Sequence, residues 1–132
     1  MSFDWQEYAN LANKLASDEA YHKEGRLRAA SSRVYYAAHW QVQTHLKREN
    51  PSLVIGEGKN VHREVIRLCI ESQVPALEQV GQHLSRMLEC RVDADYKNWV
   101  DFREGRFGLA MSCFGAICGM LNKRTASPKT KT

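Results

Sequence analysis

A chain of 132 residues, 43% hydrophobic and 26% charged, has the size and composition of one globular domain, long enough to bury a core without disulfides or metals. Its net charge of +4 suggests a nucleic-acid partner until its location is considered. Lys123, Arg124, Lys129 and Lys131 lie in the last ten residues, and without them the 19 basic residues fall to 15, equal to the 15 acids; composition gives no sign of a broad basic face over residues 1–122, which leaves room for a local pocket.

The hydrophobic period is that of helices throughout. Asp4 to about Leu15 reads as a short amphipathic helix with Trp5, Tyr8, Leu11, Ala12 and Leu15 on one side. Ser17-Asp18-Glu19 then offers N-cap chemistry with acids in a first turn. A long second helix is expected from about Asp18 to Lys47, interrupted at Gly25. Leu27, Ala30, Val34, Ala38, Gln41 and His45 follow one side of it, and Ala29, Arg33, Tyr36 and Trp40 nearly the opposite one. Such a helix sits centrally in a bundle or half in a subunit interface.

Pro51, Gly56 and Gly58 mark a loop. Asn60 is the expected cap of a third helix with Val61, Val65, Leu68 and Cys69 facing inward. Pro75 suits the first turn of a fourth, whose stripe runs Leu77, Val80, Gly81, Leu84, Leu88, Arg91. A fifth, from about Asp101 to Asn122, carries Phe107, Ala110, Phe114, Ile117 and Leu121 in line. Beside that line lie Gly108, Ser112, Gly115 and Gly119. Glycine costs about 1 kcal/mol per helical position against alanine, so this register predicts a second helix packed very close. The organisation is one all-α helical bundle over residues 1–122, with a basic disordered tail over 123–132.

Cys69, Cys90, Cys113 and Cys118 show no Cys-x-x-Cys spacing and fall within apolar helical patterns, which points to buried reduced thiols. Residues 1–15 carry acids and a tryptophan where a signal peptide needs an apolar run. The uncharged run 107–121 is shorter than the roughly 20 residues of a membrane span. A cytoplasmic location with no membrane association is expected.

Arg91 stands out among candidate site residues. It continues an apolar stripe to the carboxyl end of its helix, where exposed carbonyls favour a cation, with Asp93 and Asp95 near enough to pair with it. As a structural element it would clamp the 92–100 loop, with Tyr96 packed over it. As a functional one it would present a guanidinium to a phosphate, with Tyr96 stacking or donating a hydrogen bond. Arg33, Tyr36 and Trp40 adjoin at i, i+3 and i+7, whereas His39 lies about 120° around the helix from Arg33 and does not converge with it. His62 opens the third helix, a position that favours neutral imidazole and could serve catalysis or substrate binding. Glu19-x-x-His22 is half of a di-iron motif, and no second copy exists. With no phosphate loop, zinc spacing or nucleophile elbow either, neither a metal nor a cofactor is expected.

Three ordered segments carry a family resemblance. Leu27-Arg-Ala-Ala-Ser-Ser-Arg-Val-Tyr-Tyr-Ala-Ala-His39 is similar to the Tyr-Ala-Ala segment on the long second helix of HEPN-domain proteins. Asn60-Val-His-Arg-Glu-Val-Ile66 resembles the opening of their third helix. Leu84 to Tyr96, ending Arg91-Val-Asp-Ala-Asp-Tyr96, looks like the Arg-x-x-Ala-Asp-Tyr signature of one branch. The resemblance covers roughly residues 10–122. It implies an up-and-down bundle of four main helices, here with a short N-terminal helix added, pairing as a homodimer around a cleft. It also implies a toxin–antitoxin or defence-type system: a metal-independent ribonuclease acting on RNA, often with a nucleotidyltransferase antitoxin, or a non-catalytic module binding a nucleotide or a nucleotidyltransferase partner.

The family's catalytic motif is an arginine followed, four to six residues on, by a histidine. The histidine handles protons and the arginine stabilises charge on the phosphate. Arg91 matches the arginine, whereas Tyr96 stands where histidine is expected and Val92 where a polar residue is usual. With a reference pKa near 10, tyrosine is a poor proton acceptor at neutral pH, so His62 or His39 would have to supply acid–base help. The catalytic candidates are therefore Arg91, Tyr96 and His62, and the substrate-binding candidates Arg33, Tyr36 and Asp95.

Overall fold

The computed structural model describes residues 3–130 apart from residue 59, with side chains described through residue 122. Five helices follow in order: α1 Gln6–Ser17, α2 Lys23–Glu49, α3 Val61–Ile70, α4 Pro75–Tyr96 and α5 Glu104–Thr130. No strand occurs among the described residues. The fold is an all-α bundle, and its axis is α2, which packs against each of the other four helices. The expected central place of that helix is borne out by Leu27, Ala30, Val34, Tyr35, Ala37, Ala38, Val42 and Leu46, all of which are buried; of the second expected side, Arg33, Tyr36 and Trp40 are only half-buried and Ala29 is exposed. No described helix is long and apolar enough to cross a membrane.

Several boundaries differ from expectation for local reasons. Asp18 does not cap α2: its carboxylate accepts from the Ala20 amide in a tight turn, and α2 begins at Lys23 with His22 Nδ1 accepting from the Gly25 amide. Arg26 closes this turn by donating to the Ala16 and Tyr21 carbonyls. Asn60 occupies the cap position of α3 but makes no side-chain cap bond. The fourth helix continues to Tyr96, so Arg91 lies inside it rather than at its end, and the fifth starts at Glu104 rather than Asp101. Helix α5 runs on to Thr130, and the expected basic tail of 123–132 lies outside the residues with described side chains.

The inward stripes of α4 and α5 hold as read: Leu77, Val80, Gly81, Leu84 and Leu88 are buried, as are Ala110, Phe114, Ile117 and Leu121. In α1 the face turns by one position. Ala9 and Ala12 are buried and Leu11 is half exposed, because small side chains let α1 approach the alanine-rich flank of α2. Cys69, Cys90 and Cys113 are buried free thiols, while Cys118 is half-buried and donates to the Gln41 side-chain oxygen at 3.3 Å.

The close helix approach expected along α5 occurs elsewhere. Gly108, Gly115 and Gly119 face open space within the chain. The glycine that contact demands is Gly81 on α4, where an added methyl would lie 2.8 Å from Ile70 Cγ1, 3.0 Å from Cys69 Cβ and 3.2 Å from the Ile66 carbonyl oxygen of α3. Alanine gains about 1 kcal/mol of helix propensity, but the clash includes backbone and overpacking costs about 1–3 kcal/mol. Gly81→Ala is therefore expected to lower the urea midpoint of unfolding, and a raised midpoint would show that α3 yields freely.

Candidate functional site

The site is assembled along one side of α2. Arg28, Ser32, Tyr35, Tyr36, His39 and Gln43 recur at three- and four-residue steps, which places them on a single face of a 3.6-residue helix. This polar stripe runs down an otherwise apolar buried helix, facing the end of α4 and the start of α3. Arg28, Ser32, Tyr35, His39 and Gln43 each have a hydrogen-bond partner, as buried polar groups require, and Tyr36 makes ring contacts.

Arg28 fixes the end of α4. Its Nη1 donates to the carbonyls of Asp93, Ala94 and Lys97 at 3.0, 3.0 and 3.2 Å, its Nη2 to the carbonyl of Val100 at 2.6 Å, and its Nε to Glu24 at 2.9 Å. The last carbonyls of a helix lack intrahelical donors, and this guanidinium supplies them from a neighbouring helix. The cation expected at these carbonyls was Arg91; Arg28 fills that role instead. Arg106 adds a second tie, donating to Asp93 Oδ2 at 2.6 Å, with Lys97 on the other oxygen at 3.1 Å. The Arg106 bond holds the Asp93 carboxyl below its ordinary range.

Arg91 is thereby freed from structural duty at the helix end. Its side chain is 13% exposed, and its Nε donates to Asp95 Oδ2 at 3.0 Å, while the same oxygen accepts from Ser32 of α2 at 3.0 Å. Asp93, the other candidate partner, belongs to Arg106 and Lys97. The Arg91 guanidinium lies between two rings, 5.1 Å from the Tyr36 centroid and 5.4 Å from that of Tyr96. Its Nη1 and Nη2 have no protein acceptor among the described residues, and neither is a buried unpaired atom. Tyr96 is 67% exposed and covers the guanidinium from the solvent side. Arg33 approaches the Tyr36 ring at 5.6 Å while also lying 5.2 Å from Tyr8 of α1. Two arginines thus share one tyrosine ring with a single carboxylate between them. A guanidinium held over aromatic rings keeps its edge N–H groups for a ligand.

His62, in the first turn of α3, joins this cluster through Tyr35. The Tyr35 hydroxyl is 2.7 Å from His62 Nδ1 and 3.5 Å from His39 Nδ1, and His39 Nε2 is 3.0 Å from Gln43 Nε2. The His39 and His62 ring centroids are 4.7 Å apart. Burial, then the neighbouring His62, lowers His39 from its ordinary value to about 4. Burial and the Arg91 charge lower His62 as well, while burial raises the Tyr35 phenol far above its usual value against a smaller opposing pull from Arg91. Both imidazoles are therefore neutral at physiological pH.

All six candidate residues are thus placed in one region. Arg91, Tyr96, Asp95, Tyr36 and Arg33 form one connected surface cluster, and His62 enters it beneath Tyr36, its ring centroid 5.8 Å away. The sequence reading missed Arg28, Ser32, Tyr35 and Gln43, although with Tyr36 and His39 they recur at three- and four-residue steps along α2, which was available as a signal. Trp40 does not take part; it stacks on Trp5 of α1 at 5.2 Å. His22 caps α2, and among the described residues no group of three or more His, Cys, Asp or Glu side chains could hold a metal ion. Comparison with protein-family models, curated proteins and solved structures yields no match.

His39 makes stability depend on pH in a definite sense. Its folded value near 4 lies below the ordinary 6.5, so between those values the unfolded chain binds a proton that the folded one refuses. Stability is complete above about pH 6.5 and falls as pH drops toward 4, by about 3 kcal/mol for such a shift. Denaturant unfolding at pH 7 and pH 4 is expected to show this loss, and His39→Leu to flatten the slope between them. An unchanged slope in that variant would place the proton elsewhere.

Proposed function

We propose that the Tyr36–Arg91–Tyr96 cluster, with Arg33 beside it, binds a phosphate group of single-stranded RNA or a nucleotide. The observation that carries this is the state of Arg91, whose Nε is committed to Asp95 while both Nη groups stay unpaired between two tyrosine faces. Guanidinium and phosphate form charge-assisted hydrogen bonds in a planar fork. Exposed tyrosine faces next to a cationic anchor stack on unpaired bases. Because residues 1–122 are formally neutral, attraction is local and binding depends on these few side chains.

A ribonuclease reading is supported by one further feature, a neutral imidazole packed on the same tyrosine ring as that guanidinium. In that version Arg91 stabilises the charge on the reacting phosphate, Tyr96 positions it and His62 exchanges the proton. Placement in a toxin–antitoxin or defence-type system, with a nucleotidyltransferase as partner, rests on the HEPN resemblance alone.

Fluorescence anisotropy with a labelled single-stranded RNA in EDTA tests both versions. Arg91→Ala is expected to weaken binding by about ten- to a hundredfold and to make its salt dependence shallower by about one phosphate contact, with the circular dichroism spectrum unchanged. Undiminished binding in that variant would remove the cluster from RNA recognition. If the RNA is cut, cleavage lost in His62→Ala and retained in His22→Ala would favour the enzyme.

Pairing of two copies is part of the same reading. The outward side of α5 carries Gly105, Gly108, Leu109, Ser112, Gly115 and Gly119, all exposed and none charged, whereas a solvent-facing helix side is ordinarily polar and charged. A second copy seated there would explain why small residues persist. Sedimentation at micromolar concentration is expected to give a dimer, and Gly115→Glu a monomer. A monomeric parent protein would take pairing out of the proposal.

A further inference from the structure

We propose that His39 and Gln43, neither of which reaches a ligand, are positioning residues that fix His62 as a hydrogen-bond donor to the bound anion. This deepens the phosphate-binding reading and rests on it. His39 and Gln43 are 1% and 4% exposed, so any influence on the surface passes through Tyr35. Gln43, His39 and Tyr35 are spaced four residues apart on α2, and the line continues into His62 of α3.

The bond directions follow from one end. Gln43 turns its amide nitrogen to His39 at 3.0 Å, and an amide nitrogen can only donate. His39 Nε2 must then accept, which puts the proton of this neutral ring on Nδ1. That proton faces the Tyr35 oxygen at 3.5 Å, a long contact whose direction is nonetheless the one left open. The single Tyr35 hydroxyl proton is consequently directed to His62 Nδ1, the short 2.7 Å bond. His62, with Nδ1 accepting, carries its own proton on Nε2, the nitrogen that has no protein partner and is not sealed from water.

An N–H is therefore turned toward water from a ring that packs on Tyr36 at 5.8 Å, the same tyrosine that the Arg91 guanidinium covers at 5.1 Å. Three elements contribute: α2 gives the buried line, α3 gives His62, and α4 gives Arg91, whose charge opposes a second proton on His62. The chain is also self-protecting. Protonating His62 would require the Tyr35 hydroxyl to turn away, and protonating His39 would require the Gln43 amide to turn over, so either proton breaks the line of bonds. Each ring is thus held neutral with one defined tautomer, and the two tautomers are opposite.

This arrangement has a spectroscopic signature that mere packing would not produce. Free histidine side chains favour the Nε2–H form, so a neutral His39 in the Nδ1–H form requires the chain of bonds. Long-range proton–nitrogen correlation spectra of the nitrogen-15-labelled protein at pH 7, without ligand, are expected to show His39 as Nδ1–H and His62 as Nε2–H. In Tyr35→Phe, His39 loses its acceptor and returns to the Nε2–H form as Gln43 turns its amide oxygen inward. Affinity for adenosine monophosphate should then fall by about three- to tenfold through loss of an oriented donor.

His39 found as Nε2–H in the parent protein, or a tautomer pair unchanged by Tyr35→Phe, would overturn the proposal. Should that variant fail to fold, the parent spectrum decides by itself. Arg91→Ala separates this inference from the phosphate reading: it is expected to abolish nucleotide binding and leave both tautomers as they are. Loss of the tautomer pair in Arg91→Ala would mean that the arginine, not Gln43, sets them, and would also overturn the proposal.

Discussion

The arrangement of the whole site depends on one guanidinium, that of Arg28, lodged under the carboxyl end of α4. A helix end in contact with a neighbouring helix leaves carbonyls that water reaches poorly, and each unpaired one costs about 1–3 kcal/mol. Arg28 answers the carbonyls of Asp93 and Ala94 and those of Lys97 and Val100 in the turn that follows. Its planar fork does this from one fixed position; a lysine ammonium has neither the reach nor the number of oriented donors. The rotation and depth of the α4 end are set by that contact. Since Arg91, Asp95 and Tyr96 all lie within the last two turns of α4, their positions relative to Ser32 and Tyr36 of α2 are set with it. Helix α4 supplies the phosphate-facing groups, and α2 determines where they point.

The polar stripe on α2 is a costly way to build a core. An alanine–valine surface along Tyr35, His39 and Gln43 would bury as readily and need no hydrogen-bond partners, whereas these side chains must each be satisfied. The four-membered chain meets that requirement with no charge, because burial keeps both imidazoles neutral, aided by His62 at His39 and by the Arg91 charge at His62. A half-satisfied network would be worse than an apolar core, so loss of one member is felt by all. The stability window follows from the same fact: acid below about pH 6.5 acts on the core through His39 rather than through surface ion pairs such as Lys23–Glu104 or Arg103–Asp101, which are exposed and contribute little.

The helical fold was legible because it rests on repetition. The stripes of α4 and α5, Pro75 at the start of α4 and the central place of α2 follow from spacing that tertiary contacts did not disturb. Local chemistry was less decisive. Ser17-Asp18-Glu19 has the composition of a helix start, yet Asp18 closes a turn, since its carboxylate is as well satisfied by the Ala20 amide as by a cap. The small residues of α5 signal a close approach that one chain does not make, and the true close approach, Gly81, looked like an ordinary member of its stripe. Sequence showed that a helix has room for a neighbour but not which helix fills it.

For the site the legible part was chemical and the illegible part relational. Arg91, Asp95, Tyr96, Tyr36 and His62 could be named because guanidinium, carboxylate, phenol and imidazole near one another in a helical sequence suggest anion chemistry. Arg28 could not, because its partners are backbone carbonyls, which no side-chain pattern reveals. The Tyr35–His39–Gln43 ladder was visible at four-residue spacing but looked like ordinary core. Only contact with His62 from another helix carries it to the surface.

That direction bears on the departure at Tyr96. A phosphate-cutting site needs a lone pair near neutral pH to accept a proton. His39 is sealed in the core with its nitrogens engaged. A His62 that donates from Nε2 has no lone pair to spare on its outward side. On the proposed reading, then, the cluster presents donors to the phosphate, two Nη groups and an imidazole N–H, with tyrosine rings beside them for a base. That set is complete for holding a phosphate beside a stacked base, and cleavage would require reversing every bond between Gln43 and His62.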